Sequence, residues 1–119
     1  MNFIMNEIEN LIIYKSCFNL IYYSEMILKK FPKIERNLLI KDIRDTNKKI
    51  MEIIIKSYKE INKNKKYYYL NEIDINLKLL KVLVRLSYKN KYINSNNYSA
   101  WCNKITNINN LLFKWMSNV

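Results

Sequence analysis

Apolar residues recur at intervals of three and four along the chain, which predicts amphipathic α-helices rather than strands. The first such segment, at about residues 6–30, has two apolar faces where a helix in a bundle needs only one. One face comprises Leu11, Tyr14, Phe18 and Ile21. The other comprises Ile13, Cys17, Leu20, Ile27 and Phe31. We expect a second subunit to cover one of these faces, because large exposed apolar patches usually mark interfaces.

Three further segments, at about residues 34–62, 67–90 and 95–117, each predict one helix with an inward face. The inward residues of the second are Leu39, Ile43, Thr46, Ile50, Ile54, Ser57 and Ile61. Those of the third are Leu70, Ile73, Leu77, Leu80, Val84 and Ser87, with Leu79, Leu83 and Leu86 on a neighbouring face. Those of the fourth are Tyr98, Trp101, Ile105, Ile108, Leu112 and Trp115. This last spacing is heptad-like and typical of a bundle seam.

Turn-forming residues are scarce, since the chain has no glycine and a single proline, Pro32. Long helices with short polar connections need little turn chemistry, whereas tight β-hairpins depend on it. Pro32 suits the first turn of a helix and disfavours helical conformation at Phe31, so we place the joint between the first two helices here. We therefore predict that residues 1–119 form one all-α domain, an antiparallel up-down-up-down four-helix bundle.

The other two connections are also predicted from local chemistry. The segment NKNKK at residues 62–66 is polar and rich in asparagine, which indicates a turn between the second and third helices. Ser95 can accept the free backbone N–H groups of the fourth helix, and Asn94 is the alternative cap.

Basic residues outnumber acidic ones by 21 to 10, which gives a formal net charge of +11. The excess is concentrated in the second half, where no acidic residue follows Asp74. Such a surplus favours a polyanionic partner, either nucleic acid or an anionic membrane. The alternative is a codon bias toward Lys, Asn, Ile and Tyr that raises lysine content without selection for binding.

The candidate binding residues are cations spaced by three and four along two of the predicted helices. They are Lys78, Lys81, Arg85 and Lys89 on the third helix, with Lys41, Arg44 and Lys48 on the second. Cations on one helix face suit a row of phosphates, and the two helices are expected to be adjacent, so the two sets could form one basic surface. The alternative is an ordinary solvated outer face. The run KKYYYL at residues 65–70 is a weaker candidate for stacking on bases, the alternative being that it closes the end of the bundle.

Catalysis is not expected, because the chain has no histidine to serve as a general base or metal ligand and no glycine for a phosphate-binding loop. The carboxylates of the second helix are interpreted as surface ion pairs, Asp45 with Lys49 and Glu52 with Lys56. No metal or cofactor is expected.

Cys17 and Cys102 are widely separated in sequence and are expected to be free thiols. The first ten residues show neither the basic start nor the cleavage site of a signal peptide, and residues 11–28 contain polar and charged positions that disfavour a membrane span, so we expect a soluble cytoplasmic protein.

Three short motifs, taken in order, resemble the accessory variability determinant (Avd) family of diversity-generating retroelements. They are Phe31-Pro32 followed by Arg36, the Val84-Arg85-Leu86 step in the leucine-rich third helix, and Tyr92-Ile93-Asn94-Ser95 before the fourth helix. The resemblance covers about residues 11–116. A sister family, encoded in intervening sequences of ribosomal RNA genes, has a similar joint, but its Asn-Ile-Ala-Glu-Gly motif is replaced here by MEIIIKSYK.

The resemblance implies a non-catalytic accessory protein, encoded by a bacterium or phage, that assembles as a barrel-shaped homopentamer. It further implies binding to a reverse transcriptase and to its template RNA or RNA/DNA hybrid, in support of mutagenic reverse transcription. Alternatives are a protein of the ribosomal RNA intervening-sequence type, a module that binds only protein, and a helical ribonuclease, which the absence of histidine disfavours.

Overall fold

The computed structural model describes Ile8 and residues 11–119, and these residues form four α-helices, one short 3₁₀ turn and no strand. The helices are α1 (Ile12–Leu28), α2 (Leu39–Lys59), α3 (Lys63–Lys89) and α4 (Ser95–Ser117), and the 3₁₀ turn is Lys33–Glu35. The predicted all-α class is confirmed. Apart from Ile8, the part of the first predicted helix that precedes Leu11 lies outside the described residues.

Each helix packs against two neighbours: α1 and α3 both contact α2 and α4. The helices therefore follow one another around the bundle in chain order, and α1 lies diagonally across from α3. Short connections join consecutive helices, as in an up-down-up-down bundle. The longest dimension is 43 Å, close to the roughly 40 Å expected for the 27 residues of α3.

The predicted core faces are largely confirmed, because all the predicted inward residues of α3 and four of the six of α4 are buried. On α1 the face that includes Cys17 is buried, whereas Phe18 on the other face remains 56% exposed. One inward prediction is wrong: Ile61 is 93% exposed. It lies past the end of α2, so the three- and four-residue spacing that placed it inward no longer applies.

The joint around Pro32 differs from the prediction that α2 begins directly after it. Pro32 precedes the 3₁₀ turn instead, and Leu38 then breaks the helical path with φ −121° and ψ −104°. The Glu35 carboxylate lies at this break, where Oε1 accepts a hydrogen bond from the Leu39 backbone N–H at 3.3 Å. Its Oε2 accepts a second hydrogen bond from the Tyr92 hydroxyl at 2.6 Å. Glu35 thereby links the start of α2 to the connection between α3 and α4.

The asparagines at the other two joints act as helix caps. The segment 62–66 is not a turn, since α3 begins at Lys63 and the Asn62 side chain accepts from the Lys65 N–H at 3.0 Å. At the start of α4 the cap is Asn94 rather than Ser95, and its side chain accepts from the Asn97 N–H at 2.7 Å. Asparagine is among the strongest residues at this position, which accounts for both outcomes.

The connection from α3 to α4 is built on a left-handed residue, Lys91, with φ 63°. Its N–H bonds to the Tyr88 carbonyl at 2.9 Å, and the Tyr92 N–H bonds to the Ser87 carbonyl at 3.0 Å. This pair of bonds is the Schellman motif, in which glycine is the usual left-handed residue. A chain without glycine places a lysine there.

One polar contact in the core joins α1 to α4. The indole N–H of Trp101, a fully buried side chain, donates to Ser24 Oγ at 3.0 Å. Ser24 in turn donates to the Leu20 carbonyl one turn earlier at 2.7 Å. Ser57 and Ser87 are buried in the same way and make the same bond to their own helix, but no side chain donates to either of them among the described residues.

Candidate nucleic-acid interface

The basic residues in the first half of the α3 set lean toward α4. Lys78 Nζ lies 2.6 Å from Asp74 Oδ1 and 3.0 Å from Asn109 Oδ1, and it also sits 5.6 Å from the centre of the Phe113 ring. Lys81 Nζ donates to Thr106 Oγ1 at 2.7 Å. Both lysines therefore help to join the two helices, and their charges lie along the groove between α3 and α4.

The other two residues of the α3 set, Arg85 and Lys89, have no bonding partner among the described residues. Arg85 and Lys89 are exposed, and neither makes an ion pair or side-chain hydrogen bond within the part of the chain that the structure describes. They lie four residues apart on the last turns of α3, about 6 Å apart along the helix axis. Unpaired cations in this position can donate hydrogen bonds to phosphate oxygens without first breaking a contact within the protein.

The α2 set is mostly engaged with other residues. Lys41 pairs with Asp45 at 2.6 Å on the same helix, and hydrogen bonds to Asp45 raise the pKa of Lys41. Arg44 makes a two-pronged contact with Glu25 of α1, with Nη2 to Oε1 at 2.8 Å and Nε to Oε2 at 3.0 Å. The hydrogen bonds that Arg44 donates to the Glu25 carboxylate raise the pKa of Arg44. Lys48 is exposed and has no such partner among the described residues.

The ion pairs predicted for α2 do not form within the described part of the chain. Asp45 pairs with the residue four positions before it rather than with Lys49, and Glu52 and Lys56 are not in contact. Both directions of a four-residue spacing bring side chains together on a helix, so the sequence did not distinguish them.

The structure does not bring the α2 and α3 sets together through these contacts. Arg44 reaches to α1, whereas Lys78 and Lys81 reach to α4. Helix α2 is flanked by α1 and α3, and helix α3 is flanked by α2 and α4. The contacts of Arg44 therefore point away from α3, and those of Lys78 and Lys81 point away from α2. The expectation of one shared basic surface stays a prediction, and the contacts of Lys78 and Lys81 extend the α3 set toward α4.

On the side of the α3 set that faces α4, the charges have one sign. Helix α4 carries Lys104 and Lys114 and no acidic residue, and the last fifteen residues of α3 carry none either. The nearest carboxylate along α3, Asp74, is occupied by Lys78 and by the Asn109 amide at 2.8 Å. Partial burial alone would raise the pKa of Asp74, but the hydrogen bonds from Asn109 and Lys78 and the lysine charge outweigh it and lower the pKa.

Sequence reasoning overlooked an aromatic pair beside the free cations. The rings of Tyr88 and Tyr98 stack in parallel, with their centres 4.3 Å apart and their planes 2° apart. Tyr88 lies three residues after Arg85, a spacing that places both side chains on one helix face and could have revealed the association. The KKYYYL run is at the other end of α3, where Tyr67 and Tyr68 are exposed and Tyr69 is partly buried against the core.

The described residues contain no group of three or more cysteine, aspartate and glutamate side chains placed to hold a metal ion. Neither cysteine among them is in a disulfide, and burial raises the pKa of the Cys17 thiol to about 12. No helix in the described part of the chain has the length and hydropathy needed to cross a bilayer.

The fold and the charge distribution define a basic four-helix-bundle protein in which two unpaired cations, Arg85 and Lys89, lie at one end of α3. Residues 11–119 match the family model described as bAvd-like, and the chain therefore belongs to the bAvd-like family. The resemblance to Avd proteins is thereby confirmed, over all four helices. Proteins of this family are accessory rather than catalytic. A search of curated proteins gives no match. The relation to the ribosomal RNA intervening-sequence proteins stays a prediction.

Proposed function

We propose that this chain is the accessory protein of a diversity-generating retroelement, and that it binds the reverse transcriptase and its template RNA during mutagenic reverse transcription in the cytoplasm. Family membership supports the accessory role. The observation that carries RNA binding is the pair of unpaired cations, Arg85 and Lys89, in a region without a free carboxylate. Lys81 and Lys78 continue this line toward the middle of α3, and Lys48, Arg44 and Lys41 would contribute from a separate flank.

The protein functions as a homo-oligomer, and the support for this is a pair of exposed apolar faces. On α1 they are Phe18, Tyr22 and Met26, and on α3 they are Ile75, Leu79, Val82 and Leu86. Each α3 residue in this set follows the last by three or four positions, as a helix-packing seam requires. Because α1 and α3 are diagonal, the two faces point in different directions. This suits a head-to-tail contact that closes into a ring, such as the pentamer that the resemblance implies.

The groove between α1 and α2 adds to the case for assembly. Ile21, Met51 and Ile55 line it, and Asn47 lies in the same wall, only 2% exposed. Within the described residues neither amide atom of Asn47 has a hydrogen-bond partner. Buried amides are nearly always bonded, so a neighbouring subunit that supplied a partner would stabilise this position.

RNA binding is tested with the double variant Arg85→Glu/Lys89→Glu. The matched control is Lys56→Glu/Lys59→Glu, which makes the same change in net charge at two other exposed lysines. Fluorescence anisotropy with a labelled RNA hairpin that carries a single-stranded tail gives the affinity over a salt series. We expect the first variant to weaken binding at least about tenfold and to reduce the slope of log K against log salt by roughly 1–2, since each phosphate contact contributes about 0.7–0.9. Equal losses from both variants would show that net charge alone, not this surface, governs binding.

Partnership with the reverse transcriptase is tested by co-purification. The gene that neighbours this one, if it encodes a reverse transcriptase next to two near-identical repeats that differ at adenines, supplies the protein to be tested. We expect the two proteins to co-elute in size-exclusion chromatography and the complex to survive nuclease treatment. A flat salt dependence of RNA binding, combined with a stable protein complex, would instead favour the module that binds only protein.

A further inference from the structure

We propose that the stacked pair Tyr88 and Tyr98 is a platform on which one unpaired RNA base stacks, while Arg85 and Lys89 hold the adjoining phosphates. The inference rests on the RNA-binding part of the proposed function and adds a site for single-stranded RNA to it. The two rings lie parallel with their centres 4.3 Å apart. Proteins that bind single strands combine such aromatic faces with a basic track along the backbone.

The fold holds the platform in position from both helices. Tyr88 lies on the last turn of α3 and Tyr98 on the first turn of α4, and the Schellman turn at Lys91 brings the two turns together. Tyr98 is half-buried and packs against the hydrophobic core. Tyr88 lies over it and remains 38% exposed. The buried ring therefore supports the exposed one, and a base can add to the stack without any rearrangement of the bundle.

The surrounding charge selects a polyanion. Arg85 lies three residues before Tyr88 and shares its face of α3, whereas Lys89 follows Tyr88 directly and lies about 100° further around the same last turn. Lys91 is exposed in the adjoining turn. The Glu35 carboxylate also reaches this turn, but its two oxygens accept hydrogen bonds from the Tyr92 hydroxyl and the Leu39 N–H. Two phosphates could lie on the two cations, which are about 6 Å apart along the helix, with a base directed onto the tyrosine between them.

An unpaired base fits this site better than a base in a duplex. Inside an RNA duplex both faces of a base are already covered by neighbouring base pairs, so stacking of an internal base on Tyr88 would require it to leave the helix. A base in a loop, a bulge or a tail has a free face. The structure thus assigns sequence-independent recognition of single-stranded segments to this end of the bundle, while duplex segments would meet only the cations.

The test compares a single-stranded oligoadenylate with a fully paired RNA of the same length, over a salt series. We expect Tyr88→Ala to weaken binding of the single strand about tenfold and leave the salt slope unchanged, because a stacking contact releases no counterion. Binding of the duplex should change less than twofold. Tyr88→Phe should bind the single strand like the unaltered protein, because it keeps the aromatic face.

Two controls separate the platform from a purely structural stack. Tyr67→Ala removes another exposed tyrosine, 51% exposed against 38% for Tyr88, at the far end of α3, and it should cost the single strand less affinity than Tyr88→Ala does. Tyr88→Leu keeps apolar bulk over Tyr98 without an aromatic face, so it should fold normally by circular dichroism and yet lose single-strand affinity. Equal losses for single strand and duplex, or full affinity in Tyr88→Leu, would overturn the platform.

The platform and the proposed function fail in different ways. If the duplex binds in an Arg85-dependent manner while Tyr88→Ala has no effect on the single strand, RNA binding stands and the platform is wrong. If the unaltered protein binds neither RNA, both the platform and RNA binding are wrong.

Discussion

The buried contact between Ser24 and Trp101 offers a sharp test of how a core polar pair stabilises this bundle. Ser24→Ala removes the only acceptor for the Trp101 indole N–H among the described residues and leaves that donor buried without a partner. An unsatisfied buried donor costs about 1–3 kcal/mol, and the better helix propensity of alanine returns roughly 0.5 kcal/mol. We therefore expect a net loss of about 1–2 kcal/mol, or a fall of roughly 4–8 °C in the midpoint of thermal unfolding.

The chain contains its own control for this substitution. Ser57 is also fully buried and also donates to the carbonyl four residues earlier, but receives no bond from another side chain among the described residues. Ser57→Ala thus removes the same atoms without leaving a donor unpaired, and we expect a change within about 0.5 kcal/mol. Urea unfolding followed by circular dichroism, at one fixed protein concentration, measures both variants.

A double-mutant cycle completes the test. Trp101→Phe removes the indole donor, so in that background Ser24→Ala should cost no more than Ser57→Ala does. If Ser24→Ala and Ser57→Ala were equally stable in the unaltered background, the argument that the indole bond carries the difference would be refuted.

Three further predictions follow from burial and charge. Ile54→Ala should lower the free energy of unfolding by about 2–5 kcal/mol and Ile61→Ala by less than about 0.5 kcal/mol, because one isoleucine is fully buried and the other 93% exposed; urea unfolding compares them. Because the pKa of Asp74 is lowered in the folded protein, its charged form adds stability above the unfolded pKa of about 4, and this is lost as the pH falls through the folded pKa. Thermal unfolding should therefore show Asp74→Asn less stable than the unaltered protein at neutral pH, with the gap narrowing in acid, and a constant gap would contradict this. Iodoacetamide should modify the half-buried Cys102 and spare Cys17, whose thiol is buried and has a pKa raised to about 12, so mass spectrometry should count one adduct in buffer and two in urea.

The sequence was sufficient to predict the helices and their buried faces, because apolar spacing is a direct consequence of helix geometry. All the inward residues predicted for α3 are buried. The helix ends were harder, since they depend on which nearby side chain bonds to the backbone. Glu35 shows why: its role at the start of α2 needs Tyr92, which is distant in sequence and comes close only after the bundle has formed.

The candidate interface was predictable in composition but not in arrangement. The spacing of the four cations of the α3 set placed them on one side of the helix. It could not show which of them would bond to other residues of the protein. The partners Asn109 and Thr106 come from α4, across the bundle seam, and their choice depends on the register between two helices. The same register creates the tyrosine stack. The local spacing could indicate that Arg85 and Tyr88 share a helix face, but it could not indicate that Tyr98 stacks on Tyr88.

At Lys91, the left-handed residue of the α3–α4 turn, the stability of the turn and the positive charge of the side chain favour different residues. A non-glycine residue in this conformation costs about 1 kcal/mol, so Lys91→Gly would relieve the backbone and make the turn easier to form. The same change would delete a cation next to Tyr88, where RNA is proposed to bind. A stabilising substitution would then weaken binding, and the lysine would represent a compromise in which the protein gives up some turn stability to retain a charge at the end of the bundle.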